Sequence, residues 1–161
     1  MKQPCTEFQE QVIAPILSTL GLRHPTLTPL LTGAALANGF SPWRAEPPAL
    51  GLFAMTPQWH QHIWDTYLAF RPDLASDVRG FASQHFFLRE PHRELANNQA
   101  YATAIATAAL LRVRELWPAS NNPIEMAYCC AEALQQPHNA FGALQAAFET
   151  LTRQTNEFVA A

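Results

Sequence analysis

Apolar residues recur along this chain at three- and four-residue steps almost throughout, and outside one loop nothing alternates at the two-residue step of a strand. Phe8, Val12, Ile16 and Leu20 share one face of a predicted first helix over residues 6–21. Pro15 lies inside that pattern and predicts a kink or a break into two pieces. Residues 27–37 predict an apolar helix rich in small side chains. It is stopped at Asn38-Gly39, where glycine suits a left-handed C-terminal cap. Residues 41–56 carry Pro42, Pro47, Pro48 and Gly51 and predict a loop with at most a short hairpin over residues 50–55.

Five further helices follow. Residues 57–69 place Trp59, Ile63 and Tyr67 on one face, and residues 72–85 do the same for Leu74, Val78 and Phe81. Residues 94–116 form a long Ala-rich pattern with Tyr101, Ile105 and Leu110. Residues 123–134 and 141–158 complete the set, the last with Phe141, Leu144, Phe148 and Leu151. Pro57, Pro72 and Pro123 each sit at a first helical position, where the missing N–H costs nothing. Thr56 and Asn122 precede two of them as N-caps. The pattern predicts a mostly α domain of about seven helices spanning residues 1–161.

Composition narrows the function classes. The chain is 48% hydrophobic and 14% charged, against about 25% charged in ordinary globular domains. That argues against disorder. The net charge is −3 and the ten basic residues are scattered, which excludes a partner held by a basic stripe, as nucleic acid is. No apolar run reaches the roughly 18 residues that would span a membrane. The start, Met1-Lys2-Gln3-Pro4-Cys5, has no apolar stretch behind it and does not resemble a secretory signal. The expectation is a protein made and kept in a cytoplasm unless another component exports it. Cys5, Cys129 and Cys130 give neither a disulfide framework nor a zinc knuckle, and the latter two are core candidates.

Few motifs carry chemistry. His60 and His62 stand two apart on a predicted helix, about 200° around its axis, and cannot share a metal from one face. They predict surface or half-buried histidines, and no cofactor is implied. Trp59 and Trp64 fit the core side of their helix, whereas Trp43, in the loop, is the exposed tryptophan. Asp65, Asp73 and Asp77 fall on exposed helix faces, and Glu90 and Glu94 read as helix-start acids.

One stretch rises above this background: Leu30-Leu31-Thr32-Gly33-Ala34-Ala35-Leu36-Ala37-Asn38-Gly39-Phe40, followed by Ala49-Leu50-Gly51-Leu52-Phe53-Ala54-Met55-Thr56-Pro57. It resembles the front half of a lysozyme-like domain of the lytic transglycosylase type. There a helix ends in Glu-Ser-Gly, and a loop leads to Gly-Leu-(Met/Phe/Tyr)-Gln. In small phage-borne members the second motif continues as Glu-Pro and a helix with His and Ile-Trp, which His60, Ile63 and Trp64 match, with Tyr67-Leu68 beyond. Asn98 and Tyr101-Ala102-Thr103-Ala104 resemble the helix behind the cleft. The resemblance covers about residues 27–116. It implies a lysozyme-like fold on which the helices at residues 6–21 and 123–158 pack. By the same resemblance Trp43, Gly51, Phe53, Met55 and Tyr101 are candidate cleft-lining residues, Trp43 and Tyr101 as sugar-stacking platforms.

The departures bear on function. The family's catalytic Glu falls on Ala37, its second-motif Gln on Ala54 and the neighbouring acid on Thr56. Glycosidic cleavage needs a carboxylic acid that protonates the leaving oxygen, and alanine has no proton to give. The back half departs as well: Tyr128-Cys129-Cys130 and the segment from Pro137 to Gly142 stand where relatives carry polar, substrate-facing clusters. The expected function is that of a non-catalytic lysozyme-like protein of phage or prophage type. It would serve as a virion- or tail-associated component or as an interaction module with a protein partner. The alternative is an active peptidoglycan-cleaving enzyme with Glu46 as its acid, set in Trp43-Arg44-Ala45-Glu46-Pro47-Pro48 and paired with Arg44 when not catalytic. Between the two stands a cleft that binds peptidoglycan without cutting it.

Overall fold

A computed structural model describes residues 3–161. It is mostly helical: α1 (Pro4–Phe8), α2 (Ala14–Thr19), α3 (Leu27–Ala37), α4 (Pro57–Thr66), α5 (Pro72–Gly80), α6 (Glu94–Asn97), α7 (Gln99–Arg112), α8 (Pro123–Leu134) and α9 (Phe141–Ala160). No strand forms among the described residues. The hairpin expected in the loop is a single antiparallel bridge, in which the Leu50 and Met55 N–H groups each donate to the other's carbonyl, at 2.9 and 3.0 Å.

Where turn chemistry punctuates the sequence, the elements end as it dictates. α3 stops at Asn38, and Gly39 takes φ +62°. The Phe40 N–H reaches back to the Ala35 carbonyl and the Gly39 N–H to that of Leu36, so two orphan carbonyls are satisfied. The Thr56 hydroxyl accepts from the Trp59 N–H, and the Asn122 carboxamide oxygen accepts from the N–H groups of Ile124 and Glu125. Both predicted N-caps are formed.

Three predicted helices come out differently. The first is widened in its middle: Gln9–Ile13 is a π-helical turn between α1 and α2. Pro15 has no N–H for the preceding turn, and the wider turn absorbs the mismatch without ending the helix. The pattern over residues 72–85 stops at Gly80, and residues 83–89 form successive turns. The long helix expected over residues 94–116 is three pieces: α6, α7 and a 3-10 turn, Arg114–Leu116. Asn98 makes the first break. It is extended (φ −131°, ψ 99°), its side-chain oxygen caps α7 by accepting the Tyr101 N–H at 3.0 Å, and its amide donates to the Phe81 carbonyl at 2.8 Å.

Helix α7 occupies the centre. Every residue from Tyr101 to Leu110 is buried, as befits a helix apolar all round. Its alanines let α3, α4, α5 and α8 pack close. Thr103 and Thr107 turn their hydroxyls back onto the carbonyls of Gln99 and Thr103, both at 2.8 Å. α3 lies against α7 on one side and α9 on the other. At Gly33 the Phe148 ring of α9 lies where a side chain would begin, so α9 sits flush on the α3 backbone. Cys129 and Cys130 are buried in α8, as expected, and all three cysteines are free.

Two glycines separate backbone strain from backbone contact. Gly21 (φ +68°) has open space around its missing Cβ. Gly51 (φ +78°) has the Leu95 carbonyl where that Cβ would stand. Gly21→Ala should therefore cost about 1–2 kcal/mol, the left-handed penalty alone. Gly51→Ala should cost roughly 3 kcal/mol or more, because the α6 backbone must also move. Midpoints of urea unfolding read the difference.

Candidate functional site

The end of α3 and the hairpin, the two stretches that stand out in the sequence, meet in space. The Asn38 amide, just past the end of α3, donates to the Leu52 carbonyl at 3.0 Å and ties the helix end to the hairpin. Ala37, Asn38 and Phe53 then face Leu134, Gln136, Ala140 and Leu144 of the α8–α9 corner across a cavity of about 30 Å³. That is the space of about one water molecule. No carboxylate lines it.

Gln136 closes this space. Gln135 ends α8 in the left-handed region (φ +50°), turning the chain so that the Gln136 amide reaches the hairpin. The amide donates to the carbonyls of Phe53 and Ala54, at 3.0 and 3.1 Å. Ala54 itself has φ +47°, a region alanine avoids, and these bonds hold the turn there. Thr56 spends its hydroxyl on the α4 cap. Ala37 is thus a helix-end methyl, Ala54 part of a strained turn and Thr56 a cap.

The remaining sequence candidates scatter. Glu46 is exposed in the loop. Arg44 does not pair with it: the guanidinium lies over Gly39 at the end of α3, 2.6 Å from the place of its missing Cβ. Trp43 is 74% exposed, as expected. Gly51, Phe53 and Met55 are buried, Phe53 alone of the three lining the small cavity. Tyr101 was expected at a cleft face but lies wholly inside the protein, where no sugar reaches it.

Tyr101 instead belongs to a polar cluster that its sequence position does not announce. Its hydroxyl is 2.9 Å from Trp64 Nε1 and 2.7 Å from His60 Nε2. His60 Nδ1 is 2.8 Å from His92 Nδ1. His60 is therefore buried, contrary to the surface or half-buried place expected for it, whereas His62 is exposed and stacks on Trp59 at 4.7 Å. Burial, with the His92 charge beside it, lowers the His60 pKa to about 4. Burial likewise pushes the Tyr101 phenol up, so both are neutral at pH 7.

Indole nitrogen only donates, which fixes the direction of the chain. Trp64 donates to the Tyr101 oxygen. The Tyr101 O–H has His60 Nε2 as its acceptor, so His60 carries its proton on Nδ1 and donates to His92 Nδ1. Run the other way, the Tyr101 O–H would have no acceptor, because its only two partners, Trp64 Nε1 and His60 Nε2, would both be donating to it.

Glu94 sits next to this cluster. It opens α6, as expected of a helix-start acid, and it is buried: one oxygen accepts the Ser83 N–H at 3.2 Å, the other the Asn98 amide at 2.8 Å. Among the described residues no three His, Cys, Asp or Glu side chains gather as a metal ion would need, and no helix is long and apolar enough to cross a membrane. Comparison with protein-family models, curated proteins and solved structures finds no match.

Two stability measurements follow. Tyr101→Phe leaves the Trp64 N–H and His60 Nε2 unpaired in the core and should cost about 2–4 kcal/mol. Ala54→Gly removes the strain of a left-handed alanine and should gain about 0.5–1 kcal/mol. Denaturant unfolding at pH 7 reads both.

Proposed function

We propose that this chain is a lysozyme-like scaffold that no longer cleaves glycan and works by binding a protein partner, in a virion or tail assembly of phage or prophage type. The observation that carries the proposal is the lining of the small space at Ala37: apolar and amide side chains, with no acid to protonate a leaving oxygen. The contact between Asn38 and Leu52 supports the scaffold reading, because it joins the two motifs on which the resemblance rests. The mostly helical architecture agrees with it.

A protein partner is favoured over a glycan by what remains exposed. Ile124 and Tyr128, one turn apart on α8, are 56% and 52% exposed. With Leu116, Pro118, Ala119 and Phe141 they line an apolar groove of about 530 Å³. Exposed apolar surface of this kind marks partner sites. The two platforms proposed for a sugar reduce to Trp43, since Tyr101 is buried.

The alternative acid, Glu46, stands exposed in the loop and outside the space at Ala37. Purified sacculi incubated with the wild type and with Glu46→Gln should release no soluble muropeptides in either case. Release by the wild type that vanishes in Glu46→Gln overturns the proposal and restores an enzyme.

A further inference from the structure

Residues 83–93 run from the last turn after α5 to the start of α6 and behave, by their bonding, as a strap laid over α4 and α7. Their backbone hydrogen bonds are local: Phe87 N–H to the Ser83 carbonyl, Arg89 and Glu90 N–H to that of Phe86, Arg93 N–H to that of Glu90. Its outward side chains include two large apolar ones, Phe86 at 55% and Leu88 at 79% exposed, among the polar Gln84, His85, Arg89, Glu90 and Arg93. Besides the Ser83 N–H bond to Glu94 at its start, two tie-points hold the strap down. The Phe87 ring packs against Tyr101 and Trp64, with the Arg79 guanidinium 4.0 Å above it. The second is the bond from His60 to His92.

We infer that the hydrogen-bond chain from Trp64 through Tyr101 and His60 to His92 is an acid-sensitive latch, and that protonation at the histidine pair releases the strap while the helical body stays folded. The geometry leaves no place for a further proton. His60 Nδ1 donates and His92 Nδ1 accepts across 2.8 Å. A second proton on His92 puts two N–H groups head to head. A second proton on His60 falls on Nε2, against the Tyr101 O–H. Reversing the chain relieves the first clash only by orphaning that O–H. Moving the strap away relieves both and lets His92 hydrate.

The surrounding charges do not offset this. Arg79 comes from α5 and carries the same sign as an imidazolium. Glu94 comes from α6, but its two oxygens are engaged by Ser83 and Asn98. On the strap itself Glu90 is bound to Arg93 at 2.7 Å. From α4, Asp65 is exposed and bound by Gln61. His62 is stacked on Trp59, and His85 lies exposed beside Phe86. No carboxylate is free to pair with a protonated pair.

The sign follows. His60 titrates from about 4 when enclosed, against an ordinary value of 6.5. The open form therefore binds a proton that the closed form refuses, and opening becomes easier as pH falls through that window. The inference goes beyond the scaffold reading and stands without it.

Hydrogen exchange of the full chain, corrected for intrinsic rates, tests this between pH 7.5 and 4. Residues 83–93 should lose protection by about tenfold or more on acidification, while α8 and α9 keep theirs. His92→Asn retains an acceptor but cannot be protonated, and should move the loss by about one pH unit or more to lower pH. Simultaneous loss in the strap, α8 and α9, or an unchanged profile in His92→Asn, overturns the latch. Nitrogen-15 shifts of the wild type at pH 7.5 should give His60 with its proton on Nδ1. A proton on Nε2 overturns the direction of the chain, whether or not the variant folds.

Discussion

A helix enclosed on every side has no water to satisfy its polar groups, so each must find a partner within the protein. α7 is such a helix from Tyr101 to Leu110. Its first turn is capped by Asn98, its two threonines bond backward along the helix, and the Tyr101 hydroxyl recruits Trp64 and His60 from α4. Asn98 in turn draws in the Phe81 carbonyl and Glu94. The polar cluster is the cost of burying this helix, met by residues from four neighbouring segments.

The same economy governs the hairpin after α3. Its Phe53 and Ala54 carbonyls both accept from Gln136, which lies 82 or more positions away along the chain. The turn it holds is one that alanine adopts only under constraint.

Much of the fold was legible in the sequence, for local reasons. α3 and α8 run as expected because Gly39 ends one and Asn122-Pro123 begins the other, and both signals act within one turn. The break at Asn98 was hidden because an asparagine in an Ala-rich run reads as helix; only Phe81 and Glu94, brought up from other segments, make it a cap. The polar cluster was less legible still. His60, His92 and Tyr101 lie 32 and 41 positions apart along the chain and share no local pattern. His60 was read against its neighbour His62, when its partners came from α7 and the strap. Gln136 meets the hairpin across 82 positions or more. Pairings of that span are decided by packing, which periodicity does not encode.

The cysteines take on a different meaning once the core is drawn. Cys130 offers its thiol to the Leu30 carbonyl at 3.4 Å, and burial pushes the thiols of Cys129 and Cys130 up, away from the reactive thiolate. α8 is among the elements most closely engaged, against α9 and α7. An alkylating reagent therefore meets these sulfurs only in molecules whose α8 has come away from the rest. The chain carries its own clock for that event: the rate at which label accumulates on adjacent Cys129 and Cys130 counts excursions of the deepest part of the fold, with no probe introduced and no residue changed.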